Sequence, residues 1–286
     1  MRIFHFAFLF SLLYSQYHSS EWSSITSLLT PTGIAVTDDG IVYASTAGGL
    51  LEFNPGTEEF KFITTEEDLV YLDLATISID IQGRLWLGGA YPRGCLQVYD
   101  PEIGLVKYFE DDLIVSIDKI QIGKDIAFSV YQGTTSSDIG ILKFILDEDG
   151  LPEYQDYYNN FTDEPITEIR DLDIFQDSLL YVTTDRGIFA GNYSDNLKLS
   201  TEWDVIYTGN NALQFLPEDA GYIITDSLII NYSSGDEYYD FSSDLPHHCE
   251  KKYDNEYVNC TDDLFCYDYP HPTDAEPSNT VNLGYC

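Results

Sequence analysis

The side chains that could do chemistry in this chain of 286 residues are unevenly placed. The five histidines are His5, His18, His247, His248 and His271, so residues 19–246 contain none. A general base or metal ligand in that long stretch would have to be a carboxylate, or be supplied by the tail. Paired carboxylates occur at Asp38/Asp39, Asp111/Asp112 and Asp147/Asp149. All three sets sit in polar stretches that read as turns, where a carboxylate caps backbone N–H groups. The run DEDG at 147–150 invites a calcium reading. In the EF-hand register Asp147, Asp149 and Gly150 would fill the third, fifth and sixth places; Ile145 would then stand first, where it cannot ligate, and Asp156 last in place of Glu, so this is not an EF-hand.

His247-His248-Cys249 resembles half a metal site, but no second ligand pair follows at a zinc spacing. Cys249, Cys260, Cys266 and Cys286 lie within 38 residues and are the disulfide candidates, with two bridges and three connectivities open. If Cys260 and Cys266 flank the Thr261-Asp262-Asp263 turn on adjacent strands, they could pair directly. Cys95 is the odd thiol, and its place in a strand marks it as a small buried apolar side chain. No residue is assigned a catalytic, cofactor-binding or metal-binding role on these grounds.

The formal charge is −36, from 49 acidic against 13 basic side chains. Phosphate backbones and anionic lipid faces are bound by Lys and Arg, so nucleic acid and an anionic membrane surface are excluded as partners. Such a charge serves as a solvated surface that keeps copies apart, with a divalent-cation or basic-partner role as the alternative. The opening MRIFHFAFLFSLLYSQ has Arg2, an apolar stretch from Ile3 to Tyr14 and then Ser15. It reads as a secretory signal peptide over residues 1–15, with an uncleaved anchor as the alternative, and the mature protein is expected to be periplasmic, secreted or on the cell surface, without membrane insertion.

The elements that would position any site come from a repeat. Residues 39–55, DGIVYASTAGGLLEFNP, and 82–101, QGRLWLGGAYPRGCLQVYDP, follow one plan: a polar-Gly turn, a strand with an early aromatic, a Gly-bearing turn, a second strand and an Asn/Asp-Pro end. The aromatic slot holds Tyr43, Trp86, Phe128 and Tyr181, continued by Ile224, at steps of 43, 42, 53 and 43 residues. A closing strand ends each unit: EFKFI at 59–63, LVKYF at 105–109, EYQDY at 153–157, EWDVI at 202–206 and EYYDF at 237–241. An apolar strand precedes each polar turn, as in GIAV at 33–36, ATISID at 75–80 and IDKIQI at 117–122.

Units of four short strands in 40–50 residues cannot bury both faces alone, but repeated radially they can. The predicted fold is all-β, a β-propeller over residues 16–270 followed by a Cys-containing tail at 271–286. EWSSI at 21–25 has the pattern of a closing strand, so the reading has five complete blades and a sixth shared between the two ends. A five-bladed or incomplete ring, with residues 245–286 as an extension, is the alternative. The Tyr-rich closing strands and Trp86 read as packing between and within blades.

Residues 75–101 resemble the two-component-regulator propeller repeat, an apolar strand followed by Asp-Gly-(Asn/Arg)-Leu-Trp, a Gly-rich turn and a strand ending in Tyr-Asp. Gly83, Arg84, Leu85, Trp86, Gly88, Gly89, Tyr99 and Asp100 carry the match, with Gln82 in place of the usual Asp. The opening through LLEF is similar to the N-terminal propeller of accessory proteins of the Por (type IX) secretion system. The resemblance implies an extracytoplasmic recognition propeller, sensor-like or secretion-associated; a rigid closed scaffold, a strongly anionic surface and the lack of His in residues 19–246 point to one that binds a protein or glycan on one axial face and does no chemistry. No cofactor is expected, with calcium on the axis left open. The alternative is a propeller enzyme, a metal-assisted hydrolase or a lyase acting on carbohydrate or lactone; it needs three convergent carboxylates or His248 over the axial mouth.

Overall fold

The structure is a computed structural model. It describes residues 28, 30–217 and 221–235, and the backbone alone of residues 237–240, 246–252, 256–261, 266–268 and 280–281. The first sheet is built from β1 (Pro31–Val36), β2 (Val42–Thr46), β3 (Gly49–Asn54) and β4 (Glu59–Ile63). The second comprises β5 (Asp73–Ile79), β6 (Leu85–Tyr91), β7 (Cys95–Asp100) and β8 (Gly104–Glu110). The third holds β9 (Ile114–Ile122), β10 (Ile126–Gly133), β11 (Ile139–Leu146) and β12 (Pro152–Tyr158). The fourth has β13 (Ile169–Phe175), β14 (Leu179–Thr184), β15 (Gly187–Asn192) and β16 (Trp203–Thr208). The fifth contains β17 (Ala212–Leu216), β18 (Tyr222–Thr225), β19 (Leu228–Asn231) and β20 (Glu237–Asp240). Each is an antiparallel meander in chain order, and the closing strands read from the sequence are β4, β8, β12, β16 and β20.

A sixth four-stranded sheet is formed by β21 (Pro246–Lys252), β22 (Glu256–Thr261), β23 (Cys266–Asp268) and β24 (Thr280–Val281). Its fourth place is held by β24, from the segment read as a tail, whereas the reading gave that place to Glu21–Ile25, which lies outside the described residues.

The repeated phrase turns out to encode one turn. In Thr37–Ile41, Asp80–Arg84 and Asp147–Leu151 the first residue donates its N–H to the fifth carbonyl, its side-chain oxygen accepts the fifth N–H, and its carbonyl accepts the N–H of a glycine at the fourth place. Gly40 and Gly83 sit there at φ +83° and +79°, a left-handed conformation that a side chain would strain. A second recurring device begins the turn from third to fourth strand. The side-chain oxygens of Asn54, Asp100, Asp147, Asn192 and Asn231 each accept a backbone N–H two or three residues on. A third closes the turn from second to third strand, where the buried hydroxyls of Thr46, Thr184 and Thr225 donate to the carbonyl three residues later.

Stacking follows chain order, β1 against β5, β5 against β9, β9 against β13 and β13 against β17. The slot aromatics sit at these seams. Tyr43 packs with Leu74, Leu85 and Leu87 of the second sheet, Trp86 with Ile117, Ala127 and Phe144 of the third, and Phe128 with Leu172, Leu180 and Val182 of the fourth. Tyr181, half-buried, meets Phe215 of the fifth at 4.8 Å between ring centroids. Gly88 allows the second and third sheets to close, since a Cβ there would stand 2.4 Å from the Ile117 carbonyl oxygen. The described arrangement is that of propeller blades, and the sheets are called blades below.

One face breaks the pattern. By register, Val36, Val42 and Phe53 of the first blade correspond to Ile79, Leu85 and Tyr99 of the second, which the first blade covers. On the first blade Ile34 is 53% exposed, Val36 50%, Phe60 61% and Phe62 56%. An apolar sheet face of this kind is the side on which another sheet stacks.

Candidate functional site

The carboxylates singled out in the sequence are held in their turns by backbone N–H groups or by neighbouring side chains. Asp147 accepts from the Asp149 and Leu151 N–H groups at 2.9 and 2.8 Å, so DEDG is a capped turn. Asp111 accepts from the Leu113 N–H at 2.8 Å, Asp112 pairs with Arg93, and Asp39 accepts from the Thr37 hydroxyl. Among the described residues no group of three His, Cys, Asp or Glu side chains could hold a metal ion. His247 and His248 lie on β21, and the backbone register sets His248 opposite Cys260 and Cys260 opposite Cys266. Cys249 lies on β21 opposite Asn259, and Cys286 is outside the described residues.

Cys95 is fully buried on β7. Burial, and secondarily the nearby Glu110 carboxylate, push its thiol up to about 12, so it stays protonated at neutral pH and is no nucleophile. Of the closing-strand tyrosines, Tyr154 stacks on Phe109 of the preceding blade at 5.3 Å, and Tyr108, Tyr154 and Tyr157 are 50%, 47% and 43% exposed.

The inner strands carry acidic side chains too. Asp171 pairs with Lys119 at 3.9 Å and Asp173 accepts from Gln121 at 3.2 Å, both across the third seam. Asp118, on β9, is held by the Ser116 hydroxyl at 3.0 Å. Burial raises its carboxyl above the ordinary range, while the Ser116 bond and Lys119 pull the other way. A raised carboxyl means that the folded state holds the proton more tightly, so this group's stabilisation is complete below the unfolded-state value and lost as pH rises through the folded one. Asp118→Asn is therefore expected to raise the melting temperature at pH 7, with the gain vanishing below the ordinary carboxylate range. Thermal unfolding of the two proteins at both pH values measures it.

The largest polar network was missed by sequence reasoning, which took Asp80 as the end of an apolar strand. Asp80 and Arg84 are both 7% exposed. One Asp80 oxygen accepts from the Gln82 and Arg84 backbone N–H groups at 3.0 and 2.9 Å; the other accepts from Arg84 Nε at 2.7 Å and from the Trp86 indole N–H at 3.0 Å. Arg84 then donates from Nη1 to the Asp149 carbonyl and from Nη2 to the Gly150 carbonyl, both at 2.9 Å, clipping the second blade to the third. Other seams have lesser clips: Thr32 donates to the Leu74 carbonyl at 2.7 Å, Lys143 to the Tyr193 carbonyl at 3.0 Å, and Arg170 to the Ala212 carbonyl at 2.9 Å.

Beside this network, on the side of the first-to-second-strand turns, lies a groove of about 930 Å³. Its walls are the turns Thr37–Ile41 and Asp80–Arg84 and the Asp100–Glu102 turn, so two neighbouring blades build it. Ile41 and Ile79 contribute apolar surface, and Ile81 stands at the lip, 92% exposed. Asp38, Asp39, Asp100 and Glu102 supply the acidic rim. The signal available in the sequence was Ile81, a large aliphatic side chain in the tip of an otherwise polar turn. The arrangement is a concave surface, part apolar and part acidic, that can bind and hold a ligand.

No protein-family model and no curated protein matches the chain. Solved structures do match. The extracellular domain of the hybrid two-component system BT4673 from B. thetaiotaomicron aligns at TM-score 0.62 and 13% identity, over 91% of this chain and 34% of that one. The corresponding domain of BT3049 from the same organism aligns at 0.57 and 15%, over 86% and 34%. PorZ, a surface component of the type IX secretion system of Porphyromonas gingivalis, aligns at 0.62 and 12%, over 86% and 32%. The chain spans about a third of the length of these proteins. At such identities the likeness is one of fold.

Proposed function

We propose that the protein is an extracytoplasmic recognition propeller that binds a protein or glycan partner on one axial face, in a sensory or secretion setting, without chemistry of its own. The observation that carries this reading is the groove beside the Asp80–Arg84 network: a concave surface between two blades, built on turns closed by their own hydrogen bonds. Among the structures that the fold resembles are the extracellular domain of a hybrid two-component system and a surface component of a secretion system, which supports the same setting. Panels of glycans and of extracytoplasmic proteins, titrated against the mature chain, are expected to yield at least one saturable ligand that is recovered chemically unchanged. Release of sugar or ring-opened lactone from the panel, abolished by carboxylate-to-amide changes around the groove, would replace this reading with the propeller enzyme.

Ring closure belongs to the same proposal. The exposed face of the first blade is where a sixth blade stacks, with Glu21–Ile25 taking the closing place that the two-residue β24 holds in the structure. The five residues from Thr26 to Thr30 suffice for that connection, since outer strands elsewhere reach the next inner strand in three to ten. Removing residues 16–27 is expected to expose Phe60 and Phe62 further and to lower the melting temperature by about 5 °C, at roughly 2–4 °C per kcal/mol for a domain of this size. An unchanged melting temperature and unchanged binding of a hydrophobic dye would count against closure by that segment.

A further inference from the structure

We propose that the groove between the first two blades docks a basic segment of a protein partner, with Lys or Arg stems on its apolar floor and their charged heads on its acidic rim. This rests on the recognition reading and names the chemistry of the partner. Ile81 is 92% exposed at the groove, so its apolar surface contributes little to folding and is available to a ligand. Above that surface stand Asp39, Asp100 and Glu102, none of which takes part in an ion pair among the described residues. Asp39 accepts from the Thr37 hydroxyl, and Asp100 caps its own turn.

Charge complementarity selects the occupant. A chain of net charge −36 concentrates cations near its surface, and a concave acidic wall does so most. Among cations, a Lys or Arg side chain couples a long apolar stem to a charged head, which is the pairing this groove offers. A bare divalent ion would leave the apolar lip unused, and the described residues contain no cluster to hold one. A sugar would seek an aromatic platform, but Tyr43, the aromatic lining the groove, is 3% exposed and presents no ring face. The walls are preorganised, because two of the three turns are closed by the same side-chain-to-backbone bonds, which lowers the ordering cost of binding.

The test is fluorescence anisotropy of the full mature chain with a labelled ten-residue peptide of alternating Lys and Leu, against a Glu/Leu counterpart. The basic peptide is expected to bind saturably and more weakly at higher salt. Ile81→Ser, and separately Asp39→Asn with Glu102→Gln, are each expected to weaken it about tenfold or more with melting temperatures unchanged. Glu153→Gln with Glu202→Gln removes the same charge from exposed sites elsewhere and is expected to leave the affinity within about twofold. Equal weakening by both double variants, or no effect of Ile81→Ser, would reduce the binding to general attraction and overturn the proposal. If the basic peptide fails while a glycan or another protein from the panels binds, the basic-segment proposal falls and the recognition reading stands. If nothing binds and substrate is turned over, both fall.

Discussion

Asp80→Ala is expected to cost about 3–5 kcal/mol of stability, the penalty for leaving a buried cation without its partner. Arg84 is 7% exposed, and its guanidinium is fixed at both ends, by Asp80 within the blade and by the Asp149 and Gly150 carbonyls of the next. Without the carboxylate the charge stays buried, the Trp86 N–H loses its acceptor, and the Gln82 and Arg84 N–H groups lose their cap. Arg84→Met leaves the mirror-image problem, a buried carboxylate lacking its guanidinium. The double variant Asp80→Leu/Arg84→Met removes both charges and is expected to be less destabilised than Asp80→Ala alone, because a buried ion pair gains little over apolar packing once its desolvation is counted. Urea unfolding of the three variants separates these outcomes. A loss below about 1 kcal/mol for Asp80→Ala would mean that Arg84 swings out to water, and the clip between second and third blades would then carry no weight.

How much of this was legible in the residues depends on the range of each interaction. The blade rhythm is local: a glycine with φ near +80° in a five-residue turn and a Glu-aromatic closing strand are written within a dozen residues, so Gly40, Gly83 and the closing strands could be placed from sequence. Turn capping by Asp147 was legible for the same reason, its partners being two and four residues away. The threonines at the second-to-third turn are equally local, but Thr46, Thr184 and Thr225 end apolar strands and read as strand residues, though each is buried by virtue of its hydroxyl bond. Long-range partners left no trace. The carbonyls that Arg84 meets lie 65 and 66 residues on, and the fully buried Gln97 holds Val70 and Tyr71 from 27 and 26 residues away. The groove needs three turns from two blades at once, so only Ile81, too apolar for its turn, hinted at it. The resemblance to the two-component-regulator repeat had marked Arg84 and Trp86, and the structure supplies the physical reason that these two types stand together: both donate to Asp80.

That shared acceptor shapes the second large effect. Trp86→Ala is expected to cost about 3–5 kcal/mol, the range for removing a large aromatic from a core that cannot collapse around the gap. The indole is fully buried between Leu96 and Val98 of its own blade and Ile117, Ala127 and Phe144 of the next, so the cavity would open at the seam itself. Tyr181 occupies the corresponding slot two blades on but is only half-buried, and its ring meets Phe215 with part of its surface already in water. Tyr181→Ala is therefore expected to cost clearly less, and equal losses at the two positions would show that burial at the slot is not what sets the strength of a seam. Trp86→Phe keeps most of the apolar volume and removes the N–H, leaving one Asp80 oxygen with one donor fewer, so a loss of about 1–3 kcal/mol is expected from that bond and the remaining void. Combined with Asp80→Ala the indole has no acceptor left to lose, so the double variant should fall short of the sum of the singles by about 0.5–3 kcal/mol, as for residues in one network. Strict additivity would place the indole and the carboxylate in separate structural units, with the ring packing the seam and the ion pair fastening it independently.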